Sequence, residues 1–583
     1  MSGTTALRRT RIILLTVLAF VLLFAGRLVY VQAIEGPDLA QAALNDRLTH
    51  ATIQAPRGEI LDASGELLAT SVTRYNVGVN QQLIAQYRTE IDGETKTGAV
   101  AAAAKLAPVL GEDPAELGAK LVGTSTFVYI ARDLTPQQWR SIRELGIHGI
   151  EPEVISQRIY PNGRTAGNLI GVVGRDGEGL MGLELALDDE LQGIPGSSTV
   201  EIGRHGQRIP AGVSETIAAQ PGATVLTSID RDMQFRTEQV IADYTARFGA
   251  AWGAAVVQEV DTGRIVAMAQ SDTIDPNNLA GSSQSSHGVR AIQAAFEPGS
   301  TGKIATFAAA IDAGVVSPTT VFTTPDRFTT ASGQTFSDAD PHPTEDLTVA
   351  GILATSSNTG TVMIGDRLSD EERYDYYRAF GLGQQVGLGL PGETAGILVP
   401  PDRWDGRQRY TTMFGQGLAV NLVQNTAVVS TLANGGVRMP ASLIDGTLDE
   451  AGRFHEADRA EPVRVVSEDT AEAMMRMMEG VVSDEGTGVL AQLDGYRLAG
   501  KTGTAQVPDA HGRLTQTVAN FVGVVPADEP KYAVGIVIYH PAHQQPSAIV
   551  AAPAYREIAQ FIVQQQGIAP STVEPDSYPL RAQ

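Results

Sequence analysis

One run near the middle of the chain, Lys303-Ile-Ala-Thr-Phe-Ala-Ala-Ala-Ile-Asp-Ala-Gly314, constrains the fold more than any other stretch. It reads as a helix that is apolar on most faces, with Gly314 as its stop. Such a helix has no stable place on a surface, so its domain must be built around it. Pro298-Gly299 reads as the turn that feeds it. Ser300 then falls in the first turn, with Lys303 one turn on and on the same face. A hydroxyl and an amine are thereby held within reach at a helix N-terminus, whose backbone N–H groups suit an oxyanion. That pattern is a serine nucleophile with lysine as its base. In isolation, Ser-x-x-Lys also arises by accident. The lysine content sharpens it: of 43 basic residues only Lys96, Lys105, Lys120, Lys303, Lys501 and Lys531 are lysines. Arginine serves elsewhere, and of the two only lysine gives up its proton when buried.

With 583 residues, 43% of them hydrophobic, the chain can bury more than one core, and two or three domains are expected. A net charge of −23 with no basic run beyond the N-terminus argues against a nucleic-acid partner. There is no cysteine, which excludes disulfides, thiolate metal sites and cysteine nucleophiles. Arg8, Arg9 and Arg11 precede an apolar run over residues 12–31, long enough to cross a bilayer, with Arg27 and Tyr30 suited to the far interface. The expectation is a cytoplasmic tail (1–11), a single-pass anchor (12–31) and the remainder outside the cell membrane. Val31-Gln32-Ala33 leaves a cleaved signal peptide as the rival.

Residues 34–215 form a second region without a convergent catalytic set. Arg57-Gly-Glu-Ile-Leu-Asp62-Ala-Ser-Gly65-Glu-Leu-Leu-Ala69 reads as two strands joined at Ser64-Gly65. Residues 98–121 and 135–145 read as helices, 167–174 as a strand, and 182–191 as a short amphipathic helix. Lys96-Thr97-Gly98 is read as a decoy for a motif described below. A new domain opens near Pro221-Gly222 and runs over 222–566, with 567–583 as a tail. Strands are expected at 223–229, in a hairpin at 252–260 and 264–268 turning at Asp261-Thr-Gly263, and at 495–505, 520–525 and 532–539. Five strands split between the two ends of the domain, with helices between, imply a mainly antiparallel sheet covered on both faces.

Two further motifs fall inside this domain. Ser356-Ser357-Asn358, the sole Ser-x-Asn of the chain, lies between apolar helices at 347–355 and 361–368. Its hydroxyl and carboxamide can relay a proton and hold an amide, although Ser and Asn also cap helices. Leu498-Ala-Gly-Lys501-Thr502-Gly503-Thr504-Ala505 puts lysine, threonines and glycines on a strand that should be buried. Glycine there signals a ligand or a backbone coming close. Lys501 and the hydroxyls suit a carboxylate, and Lys501 would depress the pKa of a neighbouring Lys303. The bland alternative is an edge strand with solvated charge.

Together, Ser-x-x-Lys, Ser-x-Asn and Lys-Thr-Gly in this order resemble the active-site set of the penicillin-binding protein and serine β-lactamase superfamily. Arg57-Gly-x-Ile60-x-Asp62, Arg158-x-Tyr160-Pro161, Gly182-x-Glu184 and Gly193-x-x-Gly196 resemble the pedestal signatures of class B penicillin-binding proteins. Phe414-Gly-Gln-Gly417 and Ala433-Asn-Gly-Gly436 resemble further transpeptidase segments. The resemblance implies a multidomain α/β chain: a transmembrane helix, an elongated α+β pedestal or dimerisation-like domain (34–215), and a serine β-lactamase-like transpeptidase domain (222–566). It implies a monofunctional peptidoglycan D,D-transpeptidase, with Phe414 ahead of Gly415-Gln-Gly417 and the run Leu390-Pro-Gly-Glu-Thr-Ala-Gly-Ile-Leu398 resembling the septal type. Ser300 would be the nucleophile, Lys303 its base and Ser356 the proton shuttle. Asn358 would hold the substrate amide, and Lys501, Thr502, Gly503 and Thr504 the terminal carboxylate, with the oxyanion held by the N–H groups of Ser300 and Thr504. No cofactor or metal is implied; His540-x-x-His543 lacks a carboxylate partner and reads as loop surface. The implied partners are D-Ala-D-Ala stem peptides, β-lactams as covalent inhibitors, a membrane glycosyltransferase of the shape, elongation, division and sporulation family, and other division membrane proteins. The rivals are a β-lactam hydrolase or sensor on the same fold and a non-catalytic division scaffold. Two positions depart from the family pattern: Val289-Arg290 replaces Asn-Arg, and Gly302 stands where a bulky residue is usual.

Overall fold

The computed structural model describes residues 3–203, 208–508 and 514–582. The chain divides into two compact units. One comprises Met1–Pro56, Val72–Gln157 and Gly193–Pro221, the other Arg57–Ser71, Arg158–Gln192 and Gly222–Gln583.

The first unit begins with the helix Gly3–Val29, which continues through a π-helical segment, Tyr30–Glu35, into Gly36–Asn45. Arginine is absent from 12 to 26, and the apolar side chains of this stretch are exposed all round the helix. It is the one helix among the described residues long and apolar enough to cross a membrane. Beyond it, Leu48–Ile53, Gly196–Glu201 and Ser214–Ile217 form an antiparallel sheet. The predicted helix at 98–121 is two helices, Gly98–Leu110 and Pro114–Leu121. Gly111 adopts φ +71° and ends the first, and the Asp113 carboxylate caps the second. Leu106, Leu117, Ile130 and Ile142 close the core of this unit. Lys96-Thr97-Gly98 ends a β-hairpin of the same unit.

The second unit is built on a five-stranded sheet in the order Ile265–Gln270, Trp252–Glu259, Tyr532–Tyr539, Leu514–Val525, Ala499–Pro508, antiparallel throughout. Of the six strands expected in this domain, the five after residue 250 form this sheet, two of them at Ala499–Pro508 and Leu514–Val525 against the expected 495–505 and 520–525. Strand alternation sends side chains to two different cores. Ala255, Val257, Phe521, Ile536 and Ile538 pack with the helices Arg231–Arg247 and Ser547–Gln565. Ala254, Val256, Val522 and Val537 pack instead with Lys303–Asp312, Leu422–Ala433 and Glu468–Val482. From Lys303 to Ala310, every residue of the central helix is buried. Thr224–Thr227 belongs to a different sheet, parallel to Ile60–Leu61 and antiparallel to Ile444–Leu448.

The sequence reading of 167–174 as a strand is corrected. Gly167–Ile170 is a single buried helical turn. The Asn168 side chain holds it in place, accepting from the Ile274 N–H at 3.0 Å and donating to the Gly288 carbonyl at 3.1 Å. An apolar run of this length satisfies strand and buried-helix patterns equally, and here tertiary hydrogen bonds decide.

Candidate active site

Three separate segments meet at the rim of the five-stranded sheet. Gly299–Gly302 forms a 3-10 turn that passes directly into the helix Lys303–Asp312. This turn lies against the outermost strand, Ala499–Pro508. Gly503 makes the approach possible, since a Cβ there would stand 2.5 Å from the Pro298 carbonyl oxygen. Gly302 is likewise required: a Cβ would stand 2.7 Å from Gly415 Cα, in the Phe414-Gly-Gln-Gly417 segment. The glycine that departs from the family pattern is therefore matched to a close backbone neighbour. The Asn520 amide and the Thr301 hydroxyl both donate to the Pro298 carbonyl, at 3.1 and 2.9 Å, and fasten the turn from below.

The second segment follows the helix Val349–Thr355. Ser356 has φ +63°, a left-handed conformation costly for a residue with a side chain. Ser357 is the residue that caps the next helix, accepting from the Gly360 N–H at 3.0 Å. The capping role of this motif thus falls on Ser357 and leaves the Ser356 side chain free of it. Asn358 donates its side-chain N–H to the Ser337 carbonyl at 3.2 Å, and the N–H groups of Asn358 and Thr359 converge on the Asp338 carboxylate.

A cavity of about 540 Å³ lies between these segments. Ser300, Ser356, Asn358, Thr502 and Thr504 all line it. Lys303, Lys501 and Gly503 lie behind its wall, both lysines fully out of solvent. The Lys303 amine donates to the Ser356 carbonyl and, at 3.2 Å, to the Ser356 hydroxyl. Lys501 turns back to the Thr502 carbonyl at 3.2 Å. The Thr502 hydroxyl donates to Thr487 at 2.9 Å, and Thr504 to Ser547 at 3.0 Å.

Burial draws the Lys303 amine down to about 7, with the Asp338 charge pulling the other way. Lys501 is drawn well below the usual lysine range, by burial first and then by the charge of Lys303. The sequence reading assigned a depression of Lys303 to Lys501; desolvation lowers Lys303 instead, and it is Lys501 that the charge of Lys303 lowers. An amine that is half neutral near pH 7 and within hydrogen-bond reach of a serine is equipped to accept and pass a proton.

Sequence reasoning did not single out Asp338, Thr487, Ser547 or Asn520. Asp338 stands in the polar run Ser337-Asp-Ala-Asp-Pro-His342, which carries no motif spacing. The substituted pair Val289-Arg290 lies off the cavity, with Val289 buried and Arg290 paired to Asp272 at 2.8 Å. His540 stacks on Tyr539, and burial lowers its pKa.

A family model of the penicillin binding protein transpeptidase domain matches residues 253–560, and one of the penicillin-binding protein dimerisation domain matches 52–227. The chain is a class B penicillin-binding protein. It is 35% identical to penicillin-binding protein PbpB of Mycolicibacterium smegmatis, over 97% of this chain and 91% of that one. It is 31% identical to peptidoglycan D,D-transpeptidase FtsI of Escherichia coli, over 96% of this chain and 92% of that one. Among solved structures it resembles a peptidoglycan synthetase from Bifidobacterium adolescentis, with TM-score 0.76 and 38% identity, covering 92% of this chain and 100% of that one. It also resembles penicillin binding protein 3 of Mycobacterium tuberculosis complexed with aztreonam, with TM-score 0.69 and 29% identity, covering 91% and 100%.

The class B signatures at Arg57, Arg158 and Glu184 meet inside the second unit. Glu184, fully buried, receives Arg57 on one carboxylate oxygen at 2.6 Å and Arg158 on the other at 2.7 Å. Arg57 also reaches Asp188 at 2.6 Å, and Arg158 donates to the Gly58 carbonyl at 2.7 Å. Three charged residues drawn from three separate signatures thus form one buried ion cluster.

Proposed function

We propose that this penicillin-binding protein cross-links peptidoglycan stem peptides by serine acyl transfer during septal wall synthesis. The observation that carries the reading is the buried Lys303 amine, bonded to Ser356 at the back of the cavity that Ser300 lines. Ser300 Oγ attacks the carbonyl carbon between the two terminal D-alanines while its proton passes to the neutral Lys303 amine. Backbone N–H groups of Ser300 and Thr504 hold the oxyanion. Ser356 relays the proton from Lys303 to the leaving nitrogen, and D-alanine departs. The amine of a neighbouring stem then attacks the acyl-enzyme, returns a proton through the same pair and releases Ser300. Asn358 holds the substrate amide. Lys501, with Thr502, Gly503 and Thr504, receives the terminal carboxylate, whose negative charge favours reprotonation of the Lys501 amine. β-Lactams acylate Ser300 by the same route.

In this reading residues 12–31 are a single-pass anchor with Arg8, Arg9 and Arg11 on the cytoplasmic side, as the positive-inside rule requires. Residues 34–215 serve as the pedestal and 222–566 as the transpeptidase domain. Glycan polymerisation is left to a membrane glycosyltransferase of the shape, elongation, division and sporulation family, docked with other division proteins on the anchor and pedestal. The test is intact mass after incubation with a penicillin, beside Ser300→Ala. One stable adduct, absent from the variant, is the expected result. Rapid drug turnover would identify a hydrolase, and no adduct at any concentration would leave a scaffold.

A further inference from the structure

Residues 576–582 take no part in the chemistry above, yet they return to the wall of the cavity. The Leu580 carbonyl accepts from the Thr348 N–H at 3.1 Å, and the Ala582 N–H donates to the Asp346 carbonyl at 3.1 Å. The Thr348 hydroxyl donates to the Pro579 carbonyl at 2.6 Å. Leu347 and Arg581 pair as an isolated antiparallel bridge, so the tail lies along Glu345–Thr348, the strand that pairs with Val321–Thr324. Upstream, Arg476 donates to the Asp576 carbonyl at 3.0 Å and lies over the Tyr578 ring. The sequence of the receiving segment is fitted to the tail: a Cβ on Gly351 would stand 1.8 Å from the Leu580 carbonyl oxygen.

What the tail holds is the approach to Ser356. Glu345 and Leu347 line the cavity, and the seven residues Val349–Thr355 then deliver Ser356 to Lys303. Two helical turns do not hold themselves in place. The left-handed backbone of Ser356 also persists only where its surroundings fix it. We propose that residues 576–582 are a positioning strap that, seated on Asp346, Thr348 and Gly351, sets the place of Ser356 against Lys303 for acyl transfer. The proposal rests on the serine acyl-transfer reading. The strap is held by its backbone. The Arg581–Glu485 pair at its end spans 2.6 Å between two exposed side chains and adds little.

The test is the acylation kinetics of the full chain with a fluorescent penicillin, for the wild type, a chain ending at Pro575, Gly351→Ala, and the two changes combined. Loss of the strap should lower the acylation rate constant about tenfold, with the prior non-covalent binding constant moving less, since small misplacements act on the chemical step. Gly351→Ala should do the same in the full chain, where methyl and carbonyl cannot both fit. In the shortened chain it should cost nothing and raise the thermal midpoint, because alanine is the better helix former. A shortened chain that acylates like the wild type would overturn the strap. So would a Gly351→Ala effect that is the same with and without the tail. Should the shortened chain not fold, Ala582→Pro removes the N–H given to Asp346 and sets its ring against that carbonyl, loosening the end of the strap within the full-length chain. A fall of about twofold is then expected on the same ground, and an unchanged rate constant would overturn the proposal. Failure of the wild type itself to label, or labelling that survives Ser300→Ala, would instead overturn the acyl-transfer reading.

Discussion

Glu184 and Lys303 are both fully removed from water in the same compact unit, yet their surroundings differ. Each Glu184 carboxylate oxygen has its own guanidinium, and the Glu184 carbonyl takes a further bond from Arg57. Lys303 is given only neutral oxygens, the carbonyl and hydroxyl of Ser356. Among the described residues no carboxylate comes within ion-pair distance of Lys303 or Lys501. Asp338, the acid whose charge reaches Lys303, is already engaged with two backbone N–H groups and with His342. A buried charge with partners on every side is an architectural joint. A buried amine without a counter-ion is kept close to neutral, and so becomes a base. The same desolvation thus yields a fastener in one place and a reagent in the other, and the partners decide which.

The comparison predicts opposite outcomes for two substitutions. Lys303→Met should cut the acylation rate by on the order of 10³-fold, within the range for loss of a general base. Its thermal midpoint should hold or rise, because an apolar chain replaces a buried amine that has no counter-ion. Glu184→Ala should leave two guanidinium groups buried without their shared partner and lose about 3–5 kcal/mol of stability. Adduct formed per folded molecule should then be unchanged. Denaturant melts and penicillin labelling on both variants measure this. A Lys303→Met chain that unfolds but acylates, or a Glu184→Ala chain that is stable, would break the distinction.

The pH dependence sharpens it further. In the proposed mechanism Lys303 takes the serine proton only when neutral, so the acylation rate should rise with pH through about 7 and level above it. Its folded pKa lies below its unfolded value of 10.5, so between those values the unfolded chain binds more protons. Stability from this group therefore rises with pH from about 7 to 10.5, and its penalty is constant below that window. Lys303→Met should remove that increment. A rate that is flat from pH 5 to 9 would mean that the amine is not the base.

Much of this was legible in the chain before folding. The five strands of the catalytic sheet carry alternating or continuous apolar runs bounded by turn residues, and Tyr532–Tyr539 falls where the pattern puts it. Ser300–Lys303 and Lys501–Thr504 were legible because lysine is scarce in this chain and glycine is out of place in a buried strand, whereas Ser356-Ser357-Asn358 reads equally as a cap until it is joined to them. Residues whose meaning comes only from distant neighbours were not. Gly302 reads as a weak point in a helix until Gly415 is placed against it. Arg57, Arg158 and Glu184 read as separate signatures until folding joins them across more than a hundred residues. Asp338 and Thr487 have no local pattern at all. The turn at 167–170 was misread because its side-chain partners lie over a hundred residues away.

The smallest expected effect applies the same rule to two adjacent serines. Ser357 is buried, and its hydroxyl accepts the Gly360 N–H at the start of a helix, a bond wholly within the fold. Ser356 points its hydroxyl at the Lys303 amine from the cavity wall. Ser357→Ala should therefore lose a cap, about 1 kcal/mol, read as a lower denaturation midpoint with acylation nearly intact. Ser356→Ala should show the reverse, a slower acylation with little change in the midpoint, because the polar contact it deletes faces the amine and not the backbone. Since the two variants differ by one position and remove the same atom, any general loosening of the loop would affect both alike. Equal kinetic losses would mean that this segment acts through its packing. Divergent losses would assign the proton path to Ser356 and leave Ser357 as the cap that the composition of the motif first suggested.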